Sequence, residues 1–326
     1  MLRRILAVSF FMCMMCCGGA QASQFSERPS VQQFIQDMVE KYQFSRQELE
    51  QIFAEVKPNA KVLKLIAKPA EKKPWYFYQQ LFVSDKHVRQ GTAFWNQHTR
   101  VLNEAQQIYG VPASVIVAII GIETNYGENR GEFSTLDALS TLAFDYPRRA
   151  AFFRGELVQL FLLSRELGVD PIVFRGSYAG AIGYPQFMPS SYRQYAVDFN
   201  GNKQADLLND PVDAMGSVGN YLHQKGWQPH QPIAVRAKMK GSQYAQLEDK
   251  AAKIKTIKQF AQYGVYPVVP FPADKRAGLL RLDGEHGSEY WLVFRNFYVI
   301  KAYNSSALYA MAVFQLSNLL EQRRRS

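Results

Sequence analysis

The feature that most constrains this fold is an apolar segment that ends in a carboxylate. Residues 112–122 read PASVIVAIIGI, and Glu123 closes the run. Pro112 fits the first turn of a helix, and Gly127, shortly after Glu123, fits its end. A helix that is apolar on every side is normally buried. The sequence therefore predicts that Glu123 lies at the C-terminal end of a buried helix.

A carboxyl in this position favours its protonated form. Burial removes solvent from the charged state, and the negative end of the helix dipole opposes a second negative charge. Glu123 is therefore a candidate general acid, since such groups need a raised pKa. The alternative is a structural role, in which Glu123 caps the helix end or forms an ion pair there.

The N-terminus has the pattern of a secretory signal peptide. Two arginines at positions 3 and 4 precede an apolar run over 5–17, and Ala20-Gln21-Ala22 supplies the small residues of a cleavage site. The run is too short to favour a transmembrane helix. We predict cleavage after Ala22 and a periplasmic mature protein of about 300 residues, long enough to bury a core.

All three cysteines, at positions 13, 16 and 17, lie inside the predicted signal peptide. The mature chain would therefore have no disulfide, no thiolate metal site and no cysteine nucleophile. Lipid attachment at Cys16 or Cys17 is the alternative to cleavage after Ala22. The residues before them are not small, so an outer-membrane lipid anchor is the less favoured interpretation.

The chain carries a formal net charge of +10. A basic balance suits nucleic acid, anionic lipid or an acidic polymer. Export argues against nucleic acid, and the scattered cations indicate general attraction to an anionic cell wall or membrane surface.

Apolar periodicity predicts a mainly α (α+β) protein. Helical patterns occur at about 31–68, 86–109, 112–124, 135–143, 148–167, 170–175, 211–225, 247–262 and 306–323. Strand patterns occur at 233–238, 278–283, 290–294 and 298–302, with a turn at 283–287. Residues 231–300 therefore form a predicted small β-containing subdomain, after which the chain returns to the helical part.

The second informative segment is GSYAGAIGYPQFMPS at 176–190. Its glycines and prolines predict a specific irregular backbone. Ser177 and Gln186 stand among apolar residues, and buried polar groups need partners. The segment is not a phosphate-binding loop, since its glycine spacing differs and no Lys-Ser/Thr pair follows. A turn closed by its own hydrogen bonds is the alternative to a binding role.

Four motifs together resemble the lytic murein transglycosylase B family. They are ETNYG at 123–127, LAFDYPRR at 142–149, the glycine-rich segment at 176–192, and FYVIKAYN at 297–304. They stand in the family's order across nearly the whole mature chain. The resemblance implies a lysozyme-like catalytic core with an α-helical subdomain and a small β-containing subdomain. The predicted regions are 1–22 (signal peptide), 23–110 (α-helical), 111–230 (core), 231–300 (β-containing) and 301–326 (returning to the core).

The resemblance also implies a reaction. Enzymes of this family cleave the β-1,4 bond between N-acetylmuramic acid and N-acetylglucosamine in peptidoglycan, and close the muramic acid C6 hydroxyl on C1 to give a 1,6-anhydro end. Glu123 matches the family's single catalytic acid and base, whereas ordinary glycosidases use two carboxylates. No cofactor is expected for catalysis. Two rivals stay open: a hydrolytic, lysozyme-type muramidase, and a non-catalytic peptidoglycan-binding protein.

The same resemblance implies which residues line the substrate groove. Arg148 and Arg149 would meet the acidic peptide stems, or else form a solvated helix start. The predicted substrate-binding set is Ser177, Gln186, Tyr221, Tyr303, Asn304, Tyr309, Tyr78, Arg148 and Arg149.

A polar loop at 198–213 resembles the family's EF-hand-like loop. Side-chain oxygens at alternate positions suit a hard cation such as calcium. Two positions normally occupied by aspartate hold asparagine, and Lys203 replaces a glycine, which predicts weak, structural binding. The candidate ligands are Asp198, Asn200, Asn202, Gln204 (main-chain carbonyl) and Asp213. A polar turn without metal is the alternative. The five histidines show no metal-ligand spacing.

Overall fold

The computed structural model describes residues 25–67, 73–247 and 254–326, so the predicted signal peptide and its cysteines lie outside the described residues. The described residues divide into two compact units, one that ends at Glu55 and one that begins at Val56. In the first, α1 (Pro29–Tyr42) and α2 (Arg46–Glu55) pack together through an edge-to-face contact of Phe34 with Phe53. The finer boundaries predicted near 110, 230 and 300 remain predictions.

The second unit is built mainly from helices. They are α3 (Ala60–Ile66), α4 (Trp75–Phe82), α5 (Asp85–Gln97), α6 (Thr99–Tyr109), α7 (Ala113–Thr124), α8 (Thr135–Asp145), α9 (Ala150–Leu167), α10 (Pro189–Tyr195), α11 (Pro211–Gln224), α12 (Ile257–Ala261), α13 (Arg295–Tyr303) and α14 (Ala307–Arg325).

Helix α7 is the centre of this unit. Every one of its residues except Glu123 is buried, and α5, α6, α11 and α14 pack around it. This arrangement follows from the sequence, because a helix without a polar face needs neighbours on all sides. No single helix of the described residues is long and apolar enough to cross a membrane; α6 and α7 meet that condition only as a pair, with a bend of 113° between them.

The strands form two antiparallel sheets. β1 (Phe133–Ser134) pairs with β2 (Arg175–Gly176). β3 (Ala234–Met239), β4 (Lys255–Thr256), β5 (Val265–Pro267), β6 (Arg276–Gly284) and β7 (Gly287–Val293) form a sheet in the order β4-β6-β7-β3-β5. The predicted turn is the two-residue connection of the β6–β7 hairpin, in which Gly284 pairs with Gly287. One face of the large sheet buries Phe260, Leu292 and Phe294 in a small core of its own.

Four local predictions were wrong. Residues 298–302 lie in α13 and do not form a strand, because Phe297, Val299 and Ile300 are buried at helical spacing where α13 contacts α11 and α14. The single helix predicted at 86–109 breaks at His98, where α5 ends and α6 begins.

The other two corrections concern short segments. The helix predicted at 170–175 is a 3-10 turn over Pro171–Val173 followed by β2. Of the helix predicted at 247–262, only Ile257–Ala261 is α-helical, and residues 248–253 lie outside the described residues. In both segments a short strand, β2 or β4, occupies part of the predicted helix. The main chain of each strand forms hydrogen bonds with a neighbouring strand, so it cannot be helical there.

Candidate active site

Glu123 lies in the last turn of α7. The helix ends at Asn125 (φ 49°), and Tyr126 (φ 61°) also adopts the left-handed conformation, so the chain turns sharply directly after the carboxylate. Part of the Glu123 surface stays accessible, but the side chains packed around the carboxyl exclude most of the solvent. This desolvation raises the pKa of Glu123 to about 7, against the smaller lowering effect of Tyr309. Glu123 is thus protonated in a large share of molecules near neutral pH.

Tyr309 is the polar group that most affects Glu123. It lies in the first turn of α14 and is 2% exposed. Its hydroxyl is near enough to lower the pKa of Glu123, but it makes no hydrogen bond of normal geometry within the described residues. Burial and the neighbouring carboxyl raise the pKa of Tyr309 well above 10, so its hydroxyl keeps its proton.

Three of the predicted groove tyrosines form one cluster. The ring centres of Tyr221 and Tyr303 are 4.9 Å apart, and those of Tyr303 and Tyr309 are 6.2 Å apart and nearly parallel. Tyr221 donates its hydroxyl to the Ala302 carbonyl at 2.6 Å, and Tyr303 donates to the Pro185 carbonyl at 2.5 Å. These two hydroxyls tie the main chain of distant segments to the cluster, and the Tyr221 ring is buried against Phe187 and Tyr303.

The glycine-rich segment packs against the turn that follows Glu123. Thr124 donates its hydroxyl to the Tyr184 carbonyl at 3.2 Å. A side chain at Gly176 would place its Cβ 2.0 Å from the Ala181 carbonyl oxygen, so the close approach of these main chains requires glycine there. The segment that carries Ser177 and Gln186 is therefore held beside the end of α7.

Ser177 and Gln186 each keep one hydrogen-bonding function for a ligand. The Ser177 Oγ accepts from the main-chain N–H groups of Ala179 and Ala181 at 3.3 and 3.1 Å, which leaves its proton to donate. Gln186, at φ 48°, donates its amide to the carbonyls of Arg130 and Gly183 at 3.1 and 2.9 Å, which leaves its Oε1 to accept. The two side chains are thus oriented before any ligand arrives.

Asn304 and Tyr78 also lie close to the tyrosine cluster. Asn304 follows α13 and accepts the Ser306 N–H at its Oδ1 at 3.1 Å, so its amide N–H groups stay available as donors. Tyr78, in α4, is close enough to Tyr309 to contribute to the raised pKa of that tyrosine.

Arg148 and Arg149 are placed differently. Both are exposed in the 3-10 turn before α9, and the Arg149 guanidinium lies 4.3 Å from the ring centre of Phe152. No contact between described residues connects this pair to Glu123. Tyr303 and Tyr309 interact electrostatically with Glu123, and the segment of Ser177 and Gln186 packs beside the end of α7, whereas the arginine pair lies outside this cluster.

The polar loop at 198–213 is closed by its own hydrogen bonds. Asp198 accepts from the main-chain N–H groups of Gly201, Asn202 and Lys203. Buried Asp213 accepts three more, from residues 199, 200 and 206, and desolvation raises its pKa despite these bonds.

The candidate ligands of this loop are oxygen atoms, which suit a hard cation, but few of them carry a negative charge. Asn200 and Asn202 contribute neutral amide oxygens, each of which also accepts a main-chain N–H. Lys203 adopts φ 73°, a conformation that favours glycine. The described residues contain no group of three or more histidine, cysteine or acidic side chains placed to hold a metal ion.

The sequence and fold match known proteins over most of the chain. A family model, Transglycosylase SLT domain, matches residues 26–318. The chain belongs to this family. It is 45% identical over 302 residues to membrane-bound lytic murein transglycosylase B of Escherichia coli K12, covering 90% of this chain and 82% of that protein.

Two solved structures extend the comparison. Soluble lytic transglycosylase SltB1 from Pseudomonas aeruginosa is 42% identical with a TM-score of 0.86, over 91% of this chain and 100% of that one. The Escherichia coli lytic transglycosylase Slt35 in complex with calcium is 43% identical with a TM-score of 0.86, over 93% and 96%. These matches confirm the predicted lysozyme-like fold, the predicted class of enzyme, and peptidoglycan as the substrate. Because peptidoglycan lies in the cell envelope, the matches also indicate that this protein acts there.

One residue of this region was not predicted from the sequence. Thr124 connects the end of α7 to the glycine-rich segment, and its position directly after Glu123 was the available signal. Outside the tyrosine cluster, Phe152 is 42% exposed beside Arg149. Glu128, the carboxylate nearest to Glu123 in sequence, is exposed and accepts from the side chains of Gln90 and Asn125.

Proposed function

We propose that this family member cleaves the bond between N-acetylmuramic acid and N-acetylglucosamine with Glu123 as its only acid and base, and that it releases a 1,6-anhydro-muramic acid end. The observation that supports this role is that desolvation raises the pKa of Glu123 to about 7. The hydroxyl of Ser177 and the amide oxygen of Gln186, on the segment beside the end of α7, can each form a hydrogen bond with a ligand. A pKa near the working pH suits one group that must both give and take a proton.

The proposed reaction conserves atoms without water. Protonated Glu123 gives its proton to the glycosidic oxygen as the bond from C1 to that oxygen breaks. The resulting carboxylate takes the proton of the muramic acid C6 hydroxyl while that oxygen bonds to C1. Between these events, either the substrate's own acetamido group or a stabilised oxocarbenium ion is expected to take over from a second carboxylate.

Tyr309 has a specific part in this cycle. Its buried hydroxyl lies close enough to Glu123 to favour the carboxylate form, to which it would donate a hydrogen bond. Hydrogen bonds to a charged acceptor are stronger than those to a neutral one. Tyr309 would therefore stabilise the form of Glu123 that exists after the first proton transfer.

The remaining groups would hold the glycan. Ser177 offers a hydroxyl proton, Gln186 an amide oxygen and Asn304 amide protons, which together suit the hydroxyl and acetamido groups of an amino sugar. Arg148 and Arg149, exposed and outside the tyrosine cluster, would meet acidic stem peptides.

The deciding experiment is mass spectrometry of muropeptides released from purified sacculi, with Glu123→Gln as the paired variant. We expect products that end in 1,6-anhydro-muramic acid, and none from the variant. Products heavier by one water would establish the hydrolytic muramidase instead. Binding to sacculi without release of products, by a protein with a normal thermal transition, would establish the non-catalytic rival.

We propose further that the chain is cleaved after Ala22 and acts in the periplasm without a lipid anchor. The N-terminal pattern supports this reading. The intact mass of the mature protein tests it: a mass starting at Ser23 supports export without lipid, and an acylated cysteine overturns it.

For the loop at 198–213 we propose weak, structural calcium binding. Asp198, Asn200, Asn202, Gln204 and Asp213 would hold the ion, which would add positive charge to a loop already closed by main-chain hydrogen bonds. We expect calcium to raise the melting temperature only slightly; an unchanged melting temperature at millimolar calcium contradicts binding.

A further inference from the structure

One face of the large sheet carries a row of cations beside aromatic rings. Arg236, Lys238 and Lys240 alternate along and just beyond β3, and all three are exposed. The strand register places Arg236 opposite Trp291 on β7 and Lys238 opposite Tyr266 on β5. Because directly paired residues project to the same side of a sheet, these side chains share one face. We call these five residues the basic-aromatic face.

The cations lie over the rings of this face. The Arg236 guanidinium is 5.0 Å from the centre of Trp291, and the Lys240 ammonium is 5.6 Å from the centre of Tyr266. Glu289 forms an ion pair with Arg236 at 2.5 Å and accepts the Trp291 indole N–H at 3.2 Å. Glu289 thus holds Arg236 and Trp291 in place, and its negative charge offsets the positive charge of Arg236 at this end of the face.

The other end of the face retains its positive charge. Within the described part of the chain, Lys238 and Lys240 have no ion-pair partner, and Tyr266 between them is 38% exposed. The sheet does not need this face for its own core, since Val235, Ala237 and Met239 point to the opposite side. Two cations and an accessible ring at the edge of a sheet suit an anionic ligand that also has flat apolar surfaces.

The basic-aromatic face adjoins the helices that carry the candidate active site. Trp291 makes an edge-to-face contact with Phe314 of α14, at 5.9 Å between ring centres. On the same side of the sheet, the space over Gly278 is taken by Tyr298 of α13. Helix α13 ends at Tyr303, and Tyr309 lies in the first turn of α14, so the two helices that contact this sheet also carry residues of the candidate active site.

We propose that the basic-aromatic face is a second binding surface for peptidoglycan, separate from the bond-cleaving site. Lys238 and Lys240 would bind carboxylates of the stem peptides, and the exposed ring of Tyr266 would pack against sugar or peptide. This inference rests on the proposed function, which supplies a polymer with acidic stems. The charge complementarity between those stems and the unpaired lysines selects this occupant.

The test measures binding separately from cleavage. Glu123→Gln is the common background, so that sacculi stay intact, and Lys238→Gln/Lys240→Gln is the test variant. Lys258→Gln/Arg323→Gln is the control: it removes the same charge from exposed positions on α12 and α14 that do not belong to the basic-aromatic face. We expect the test variant to bind sacculi about fivefold more weakly at physiological salt, and the control to bind within about twofold of the background. Equal affinities of test and control variants would overturn the proposal.

Two further readouts complete the test. With Glu123 intact, Lys238→Gln/Lys240→Gln should lose activity on sacculi but keep full activity on short glycans that lack peptide. Loss on both substrates would overturn a separate surface. If Glu123-intact protein releases no anhydro products, the proposed function fails, while the binding comparison still tests this face. Weaker binding to equimolar phosphatidylglycerol–phosphatidylethanolamine vesicles, with sacculus binding unchanged, would assign the face to membranes and overturn the proposal.

Discussion

Replacement of Glu123 by glutamine should stabilise the protein most strongly at alkaline pH. The folded protein holds the pKa of this carboxyl at about 7, against an ordinary value of 4.5. Between these values, the folded state binds more protons at Glu123 than the unfolded state does. The contribution of Glu123 to the free energy of unfolding therefore falls as the pH rises from 4.5 to 7, and the loss is complete above pH 7.

The magnitude follows from the two pKa values. Their difference corresponds to about 3 kcal/mol once both states are ionised. Glu123 stays partly accessible, so solvent screening reduces this figure, and we expect about 2 kcal/mol. Glutamine has nearly the same shape but never carries the charge, so it should avoid this cost.

Urea denaturation at pH 5, 6, 7 and 8 measures the effect. Glu123→Gln and the unaltered protein should differ little at pH 5 and by about 2 kcal/mol at pH 8. All other titrating groups are common to both proteins and cancel in the difference. Glu128→Gln, which changes an exposed carboxylate close by, is the matched control and should show no such trend. A difference that stays constant from pH 5 to pH 8 would refute a buried, proton-holding Glu123.

Three further changes have defined outcomes. Tyr309→Phe removes a buried hydroxyl that lowers the pKa of Glu123, so kcat/KM should decline at a higher pH on the alkaline side of its profile. An unchanged pH profile would contradict the interaction between Tyr309 and Glu123. Ser177→Ala leaves two main-chain N–H groups without their acceptor, so thermal unfolding should show a loss of about 1–2 kcal/mol, together with a higher KM. Lys203→Gly relieves a left-handed residue and should add about 1 kcal/mol of stability in EGTA and more in calcium; equal gains in both would argue against calcium binding.

The part of the candidate site that could be predicted was the part encoded locally. Glu123 could be placed because every neighbour in its helix is apolar, and the close packing at 176–190 was signalled by glycines and prolines. The hydrogen bonds of the tyrosines could not be predicted. Tyr221 donates to residue 302 and Tyr303 to residue 185, partners that only the packing of distant segments brings within reach.

Hydrophobic periodicity and turn residues are local properties, so they were enough to predict that α7 is buried, that Glu123 lies at its end, and that a β-containing region follows residue 230. Where the local preferences for helix and strand are nearly equal, the tertiary structure selects the secondary structure of the segment. The run YVIKA at 298–302 was predicted to be a strand, yet it is helical because α13 packs its buried residues against α11 and α14. The pKa of Glu123 also depends on the tertiary structure, because burial raises it and Tyr309, which is remote in sequence, partly lowers it again.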